Sequence, residues 1–199
     1  MQSDPKTDSI QKARFRDSIG QSCSLGEVGQ SLHESQTRGV SFVPENQTVK
    51  PILILGVGNL LLKDEGVGIH FVQAFQKHGV PYNVEATEGG ARGIDLLPLF
   101  EGRRLVVIVD CARMGEKPGT IRTFEAREII EKSGTGFSMH GANLATTLDL
   151  GQRLGMLPEV VVVGIEPEII DIEIGLSDTA AKAIEEVERV VRKIIVERG

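Results

Sequence analysis

From Pro51 onward, short runs of Val, Ile and Leu alternate with segments whose apolar residues recur every three to four positions. That texture predicts a parallel sheet with crossover helices. The first run predicts a strand over Ile52–Val57; a Gly-Asn loop follows, then a helix from about Gly66 to His78 that buries Val67, Phe71, Ala74 and Phe75 at helical spacing. A second strand is expected over Tyr82–Thr87, leading to Glu88-Gly89-Gly90 and a short helix over Ile94–Phe100. The third strand, Leu105–Val109, is expected to end on Asp110. Beyond it Gly115, Pro118 and Gly119 frame a turn before an edge strand, Thr120–Phe124, and a short helix, Ala126–Lys132. Residues 133–136 read as a flexible loop that delivers Ser138-Met139-His140 to the start of a helix over Asn143–Leu154. The last strand, Val160–Ile165, is apolar throughout and therefore central. Ser177 is placed to cap a final helix that carries Asp178 in its first turn and runs to about Glu197. The fold class that results is α/β: a three-layer sandwich with a twisted, mainly parallel sheet of about five strands between helices.

Residues 1–49 lack this pattern. They mix Ser, Gln, Asp, Lys and Arg with no apolar central region, so they do not read as a secretory signal, and their acids argue against a transit peptide. The chain thus divides into a polar tail, 1–49, and a folded domain, 50–199. The tail is either a disordered extension or the product of an early start codon.

Composition narrows the function classes. A net charge of −6 and a pI near 5.3 argue against nucleic-acid partners, which are held by clustered Lys and Arg. The two cysteines, Cys23 and Cys111, are far apart and build neither a disulfide framework nor a thiolate metal site, a usage that suits a reducing cytoplasm. Apolar runs are strand-sized, well short of the roughly 20 residues of a membrane span, so no membrane partner is expected.

Ligands of open parallel sheets bind beyond the carboxyl ends of the strands, where loops converge free of core packing. The loops predicted there carry Gly58-Asn59 through Glu65, then Glu88-Gly89-Gly90, Asp110, and Glu166-Pro167-Glu168, with His140 arriving from the side. Carboxylates and an imidazole form an inventory able to hold a divalent transition metal such as nickel or zinc. The first turn lacks the dinucleotide fingerprint, because Leu61 stands where its third glycine belongs. No G-x-S-x-G elbow and no H-E-x-x-H helix occurs, which closes the usual serine and zinc peptidase routes.

The run Leu53-Ile54-Leu55-Gly56-Val57-Gly58-Asn59-Leu60-Leu61-Leu62-Lys63-Asp64-Glu65-Gly66-Val67-Gly68 resembles the opening signature of the hydrogenase maturation proteases. The resemblance continues in order through Glu88-Gly89-Gly90, Val107–Asp110, Ser138-Met139-His140, Val163–Pro167 and Ile174–Ser177. It implies a cytoplasmic endopeptidase that removes the C-terminal extension of a nickel-iron hydrogenase large-subunit precursor. Nickel is then supplied by the substrate, no organic cofactor is needed, and the enzyme is expected as a monomer. Carried over by position, the nickel contacts and catalytic residues implied are Glu65, Glu88 and His140. The family's second contact is more often Asp, so Glu88 departs by one methylene, about 1.5 Å of reach. Whether the metal or a carboxylate activates water stays open.

Each residue also has a plainer role available. Glu65 can favour a helix start through the dipole, worth about 0.3–1 kcal/mol; Glu88 can be a solvated loop acid, His140 a helix-start histidine, and Asp110 a turn cap. Gly56, Gly58 and Asn59 are read as shaping the cleft. Cys111 is read as a small buried thiol, and His33, His70 and His78 as surface residues. Two other function classes compete: a nickel-sensing chaperone that escorts the precursor without cutting it, and a nucleotide-binding protein, which Leu61 disfavours.

Overall fold

The computed structural model describes residues 49–132, 138–139 and 143–199. Its sheet has the order β2-β1-β3-β6-β4, with β1 at Ile52–Val57, β2 at Val84–Gly90, β3 at Leu105–Arg113, β4 at Ile121–Glu125 and β6 at Glu159–Ile165. The pairs β1–β2, β1–β3 and β3–β6 are parallel; β4 closes one edge antiparallel to β6. A two-residue strand, β5 at Ser138–Met139, runs antiparallel to the end of β3.

Every residue of β1 is buried, as a strand flanked by helices on both faces requires. Alternation along the strands sorts the core into two layers. Ile52, Ile54, Val107, Val109, Val161 and Val163 face α1 (Val67–His78) and α4 (Asp178–Arg198), meeting Phe71, Phe75, Val187 and Val191. Leu53, Leu55, Val106, Ile108, Val160 and Val162 face a 3-10 segment at Gly93–Phe100, α2 (Ala126–Lys132) and α3 (Asn143–Arg153), meeting Leu96, Phe100, Ile129, Leu144 and Leu148. α4 buries Ala180, Ala183, Val187, Val191 and Ile194, one side of a helix. Its cap is the expected one: the Ser177 hydroxyl accepts from the Ala180 N–H at 3.1 Å. No helix among the described residues is long and apolar enough to cross a membrane.

Strands β2 and β3 differ from expectation, and the carboxyl ends of both bear on the site. β2 starts at Val84, because the Val84 N–H closes a turn onto the Pro81 carbonyl at 3.0 Å and leaves Tyr82 exposed; it then continues through Glu88-Gly89-Gly90, paired with Gly56 and Val57 across a bulge. β3 does not stop at Asp110: pairing with Gly164 and Ile165 of β6 and with Met139 of β5 carries it to Arg113. Asp110 is therefore a buried residue inside a strand, and not the cap of a turn. Ala74 is only half-buried; Ile69 and Val72 take up the burial on α1 instead.

Candidate active site

Glycines let the first loop close onto the strand ends. A Cβ at Gly68 would lie 2.2 Å from the Val109 carbonyl oxygen and 2.4 Å from that of Val57, so only glycine lets the start of α1 rest against β1 and β3 together. Gly58 has φ +142°, and a Cβ there would lie 1.9 Å from the Glu65 carbonyl oxygen. Its N–H donates to Gly90 at 3.2 Å, and the Asn59 N–H donates to Glu65 at 3.2 Å. The Asn59 side chain accepts from the Leu61 N–H at 3.0 Å, a local turn of the kind asparagine favours. Together these bonds bring Glu65, the end of β1 and the end of β2 to one rim.

Asp64 anchors that rim. Its buried carboxylate accepts from the N–H groups of Glu168 (2.9 Å), Ile169 (3.0 Å) and Ser177 (2.7 Å) and from the Ser177 hydroxyl (2.8 Å). Burial alone would push its pKa up; the bonds from Ser177, Ile169 and Glu168 outweigh burial and hold it below the ordinary value. Asp64 thus stays ionised and ties the 168–177 loop to the segment that carries Glu65. Lys63, beside it, sits at φ 49°, uncommon for a residue with a side chain. It is held there by bonds from its N–H to the Glu173 carbonyl (2.8 Å) and from Nζ to the Glu173 carboxylate (2.6 Å).

Glu65 and Asp110 both lie at this end of the sheet. Glu65 is half-buried and Asp110 fully buried, with Glu65 Oε2 and Asp110 Oδ1 withdrawn from solvent. Both act on Cys111: burial pushes its thiol pKa well up, and the charges of Asp110, Glu65 and Asp64 push it further, against a smaller opposing pull from Arg113. Cys111 is a buried, free and protonated thiol, unfit as a nucleophile.

Glu88 lies at the same end of the sheet but outside this group. It is exposed, opposite Gly56 in the β1–β2 register, and its Oε1 accepts from Gln73 Nε2 at 3.0 Å. Next to it is His70, which is half-buried and not the surface residue its sequence context suggests. Its Nε2 is enclosed without a hydrogen-bond partner among the described residues. Burial lowers the His70 pKa, and the charge of Glu88 pulls it partly back. His78, by contrast, is exposed and hydrogen-bonded to Glu188 at 2.7 Å. Glu166 is committed to structure, accepting from the N–H groups of Met114 (2.7 Å) and Glu116 (3.1 Å). His140 lies outside the described residues, as does His33.

Among the described residues no three His, Cys, Asp or Glu side chains form a metal-holding group. The rim offers paired acids that could complete a coordination shell, not a cage that could hold an ion alone. A cleft of about 430 Å³ lined by Arg113, Gly115, Glu166, Pro167, Glu168 and Ile170 opens nearby. A larger one, about 770 Å³, runs between β4 and α4 and is lined by none of the rim acids. Sequence reasoning missed Asp64, the burial of Asp110 and the His70–Glu88 neighbourhood. Asp64 and Asp110 sit inside the motif runs, but nothing local distinguishes an anchoring acid from an exposed one.

Comparison with known proteins gives this chain a lineage. The family model described as hydrogenase maturation protease matches residues 69–194. The hydrogenase 2 maturation protease of Escherichia coli is 36% identical over 138 residues, covering 67% of this chain and 84% of that protein. A hydrogenase expression/formation protein, HupD, of Thiocapsa roseopersicina is 35% identical over 123 residues, 60% of this chain; the chain spans only 56% of that relative's length. The solved structure of the E. coli hydrogenase maturating endopeptidase HybD superposes with a TM-score of 0.66 at 32% identity, covering 73% of this chain and 93% of the other. A matching family model, a relative 36% identical and a solved structure of the same α/β fold agree: the chain belongs to the hydrogenase maturation protease family of endopeptidases.

Proposed function

We propose that this protein removes the C-terminal extension of a hydrogenase large-subunit precursor and recognises nickel already bound in that substrate. The observation that carries this reading is the pair Glu65 and Asp110, two carboxylates withdrawn from water at one end of the sheet and both acting on Cys111. Carboxylates withdrawn from water at one end of the sheet are complementary to a divalent cation. They cannot complete a shell alone, which suits an ion that arrives with most of its ligands on the substrate. Glu65, Glu88 and His140 are the contacts implied by family resemblance; burial adds Asp110 as a further candidate and makes the exposed Glu88 the outer member of the set. An empty substrate site would offer these acids no cation to meet, so metal recognition acts as a proofreading step.

Docking by coordination would set one peptide bond in the cleft. Hydrolysis there needs a water activated by the metal or by a carboxylate serving as general base. Cys111 takes no part, because its thiol is held protonated. A buried free cysteine also suits the cytoplasmic location expected for the protein.

The test is incubation of a purified precursor with and without nickel, read by intact mass. The wild type should release a C-terminal peptide only from the nickel-loaded form. Glu65→Gln, Asp110→Asn and His140→Ala should stay folded and abolish release, while Glu88→Gln should weaken it. Binding without any peptide release would mark a chaperone instead.

A further inference from the structure

Four of the ten exposed large apolar side chains among the described residues fall in the two loops that Asp64 ties together. Leu61 is 61% exposed, Ile169 41%, Ile172 85% and Ile174 79%. The loops are joined edge to edge: Leu62 and Glu173 form a parallel bridge, the Lys63 N–H donates to Glu173, the Glu173 N–H donates to Leu61, and the Asp64 N–H donates to Ile169. Leu61 therefore sits against the segment that carries Ile172 and Ile174, and this aliphatic surface begins four residues before Glu65. None of the four serves the core, and aliphatic side chains grouped on a surface invite association. The backbone ties and the buried Asp64 anchor hold the surface in shape. Exposed acids border it: Glu168, Asp171 and Glu173, the last partly neutralised by Lys63.

We infer that Leu61, Ile169, Ile172 and Ile174 form the docking surface for the folded protein substrate, which meets them with an apolar face flanked by basic residues next to the segment to be cut. An apolar centre with a charged rim is the ordinary anatomy of a protein interface, and the acidic rim selects a basic partner. A surface continuous with the site at Glu65 is positioned to orient the precursor before its metal reaches the acids. This rests on the functional reading above and adds to it a binding determinant separate from metal contact.

The test is processing kinetics on a purified, nickel-loaded large-subunit precursor from the same genome, using the Ile172→Glu/Ile174→Glu double variant. Both positions are solvent-exposed, and thermal melting checks that the variant folds. KM should rise about tenfold or more, as loss of interface anchors does, with a smaller change in kcat. Val196→Glu, on the exposed side of α4 near the opposite end of the sheet, should leave KM unchanged. Added salt should raise the wild-type KM by screening the acidic rim. A double variant with wild-type KM overturns the docking surface and leaves the functional reading standing. A wild type that processes no large-subunit precursor overturns both. If sedimentation finds the wild type dimeric and the double variant monomeric, the surface belongs to a second copy of this chain and the inference fails.

Discussion

Asp64→Asn tests whether one buried carboxylate organises the rim. The carboxylate accepts four hydrogen bonds: Oδ1 takes the Ser177 N–H, and Oδ2 takes the N–H groups of Glu168 and Ile169 and the Ser177 hydroxyl. An amide has a single acceptor oxygen. Its better orientation keeps three bonds at the Oδ2 position and turns an NH₂ toward the Ser177 N–H, at what is now a 2.7 Å contact. The orphaned donor costs about 1–3 kcal/mol, and losing the charge on the remaining bonds costs about 1 kcal/mol each. Because these neighbours couple, the expected total is about 3–5 kcal/mol, a large part of the roughly 5–15 kcal/mol that holds a domain together. Urea denaturation of both proteins at pH 7 measures it, and a difference below about 1 kcal/mol would refute the anchoring role. The pH dependence supplies a sign check. The folded pKa of Asp64 lies below its ordinary 3.8, so its contribution is fully present above that value and is lost as pH falls toward the lower folded one. The gap between wild type and variant should hold constant from neutrality down to about pH 5 and narrow below about pH 4. A gap that widens on acidification contradicts the argument.

Other outcomes follow from single contacts. Gly58→Ala places a methyl 1.9 Å from the Glu65 carbonyl oxygen at φ +142° and should cost about 3 kcal/mol or more, lowering the melting temperature and slowing precursor processing; a variant as stable as wild type counts against the close approach. Cys111 should resist iodoacetamide at pH 8 in the native protein and react in urea, as mass spectrometry will report; rapid native alkylation would contradict the burial of its thiol. The His70 ring should titrate below its ordinary 6.5 by NMR, and Glu88→Gln should lower it further, since the Glu88 charge favours the imidazolium; no response would separate the two side chains. Because its folded pKa is depressed, His70 withdraws stability as pH falls below 6.5, the opposite of a histidine that gains a salt bridge.

The sequence by itself determined the layers. Continuous apolar runs set β1 and β6 within the sheet, helical spacing and a serine cap placed α4, and the loop signature placed Glu65 just before α1. Such features are local, because burial on one face or two writes a period into the chain. What only the tertiary structure decided was where strands end and what each acid does. β3 runs past Asp110 because β5 and β6 extend its ladder, pairings that no window around Asp110 contains. The acids of the motifs then part company: Asp64 is consumed by donors more than 100 residues away, the half-buried Glu65 acts with Asp110 on Cys111, and Glu88 stays exposed on Gln73. A carboxylate's role follows from the donors, charges and solvent around it, and here those come from segments brought together only by long-range strand register.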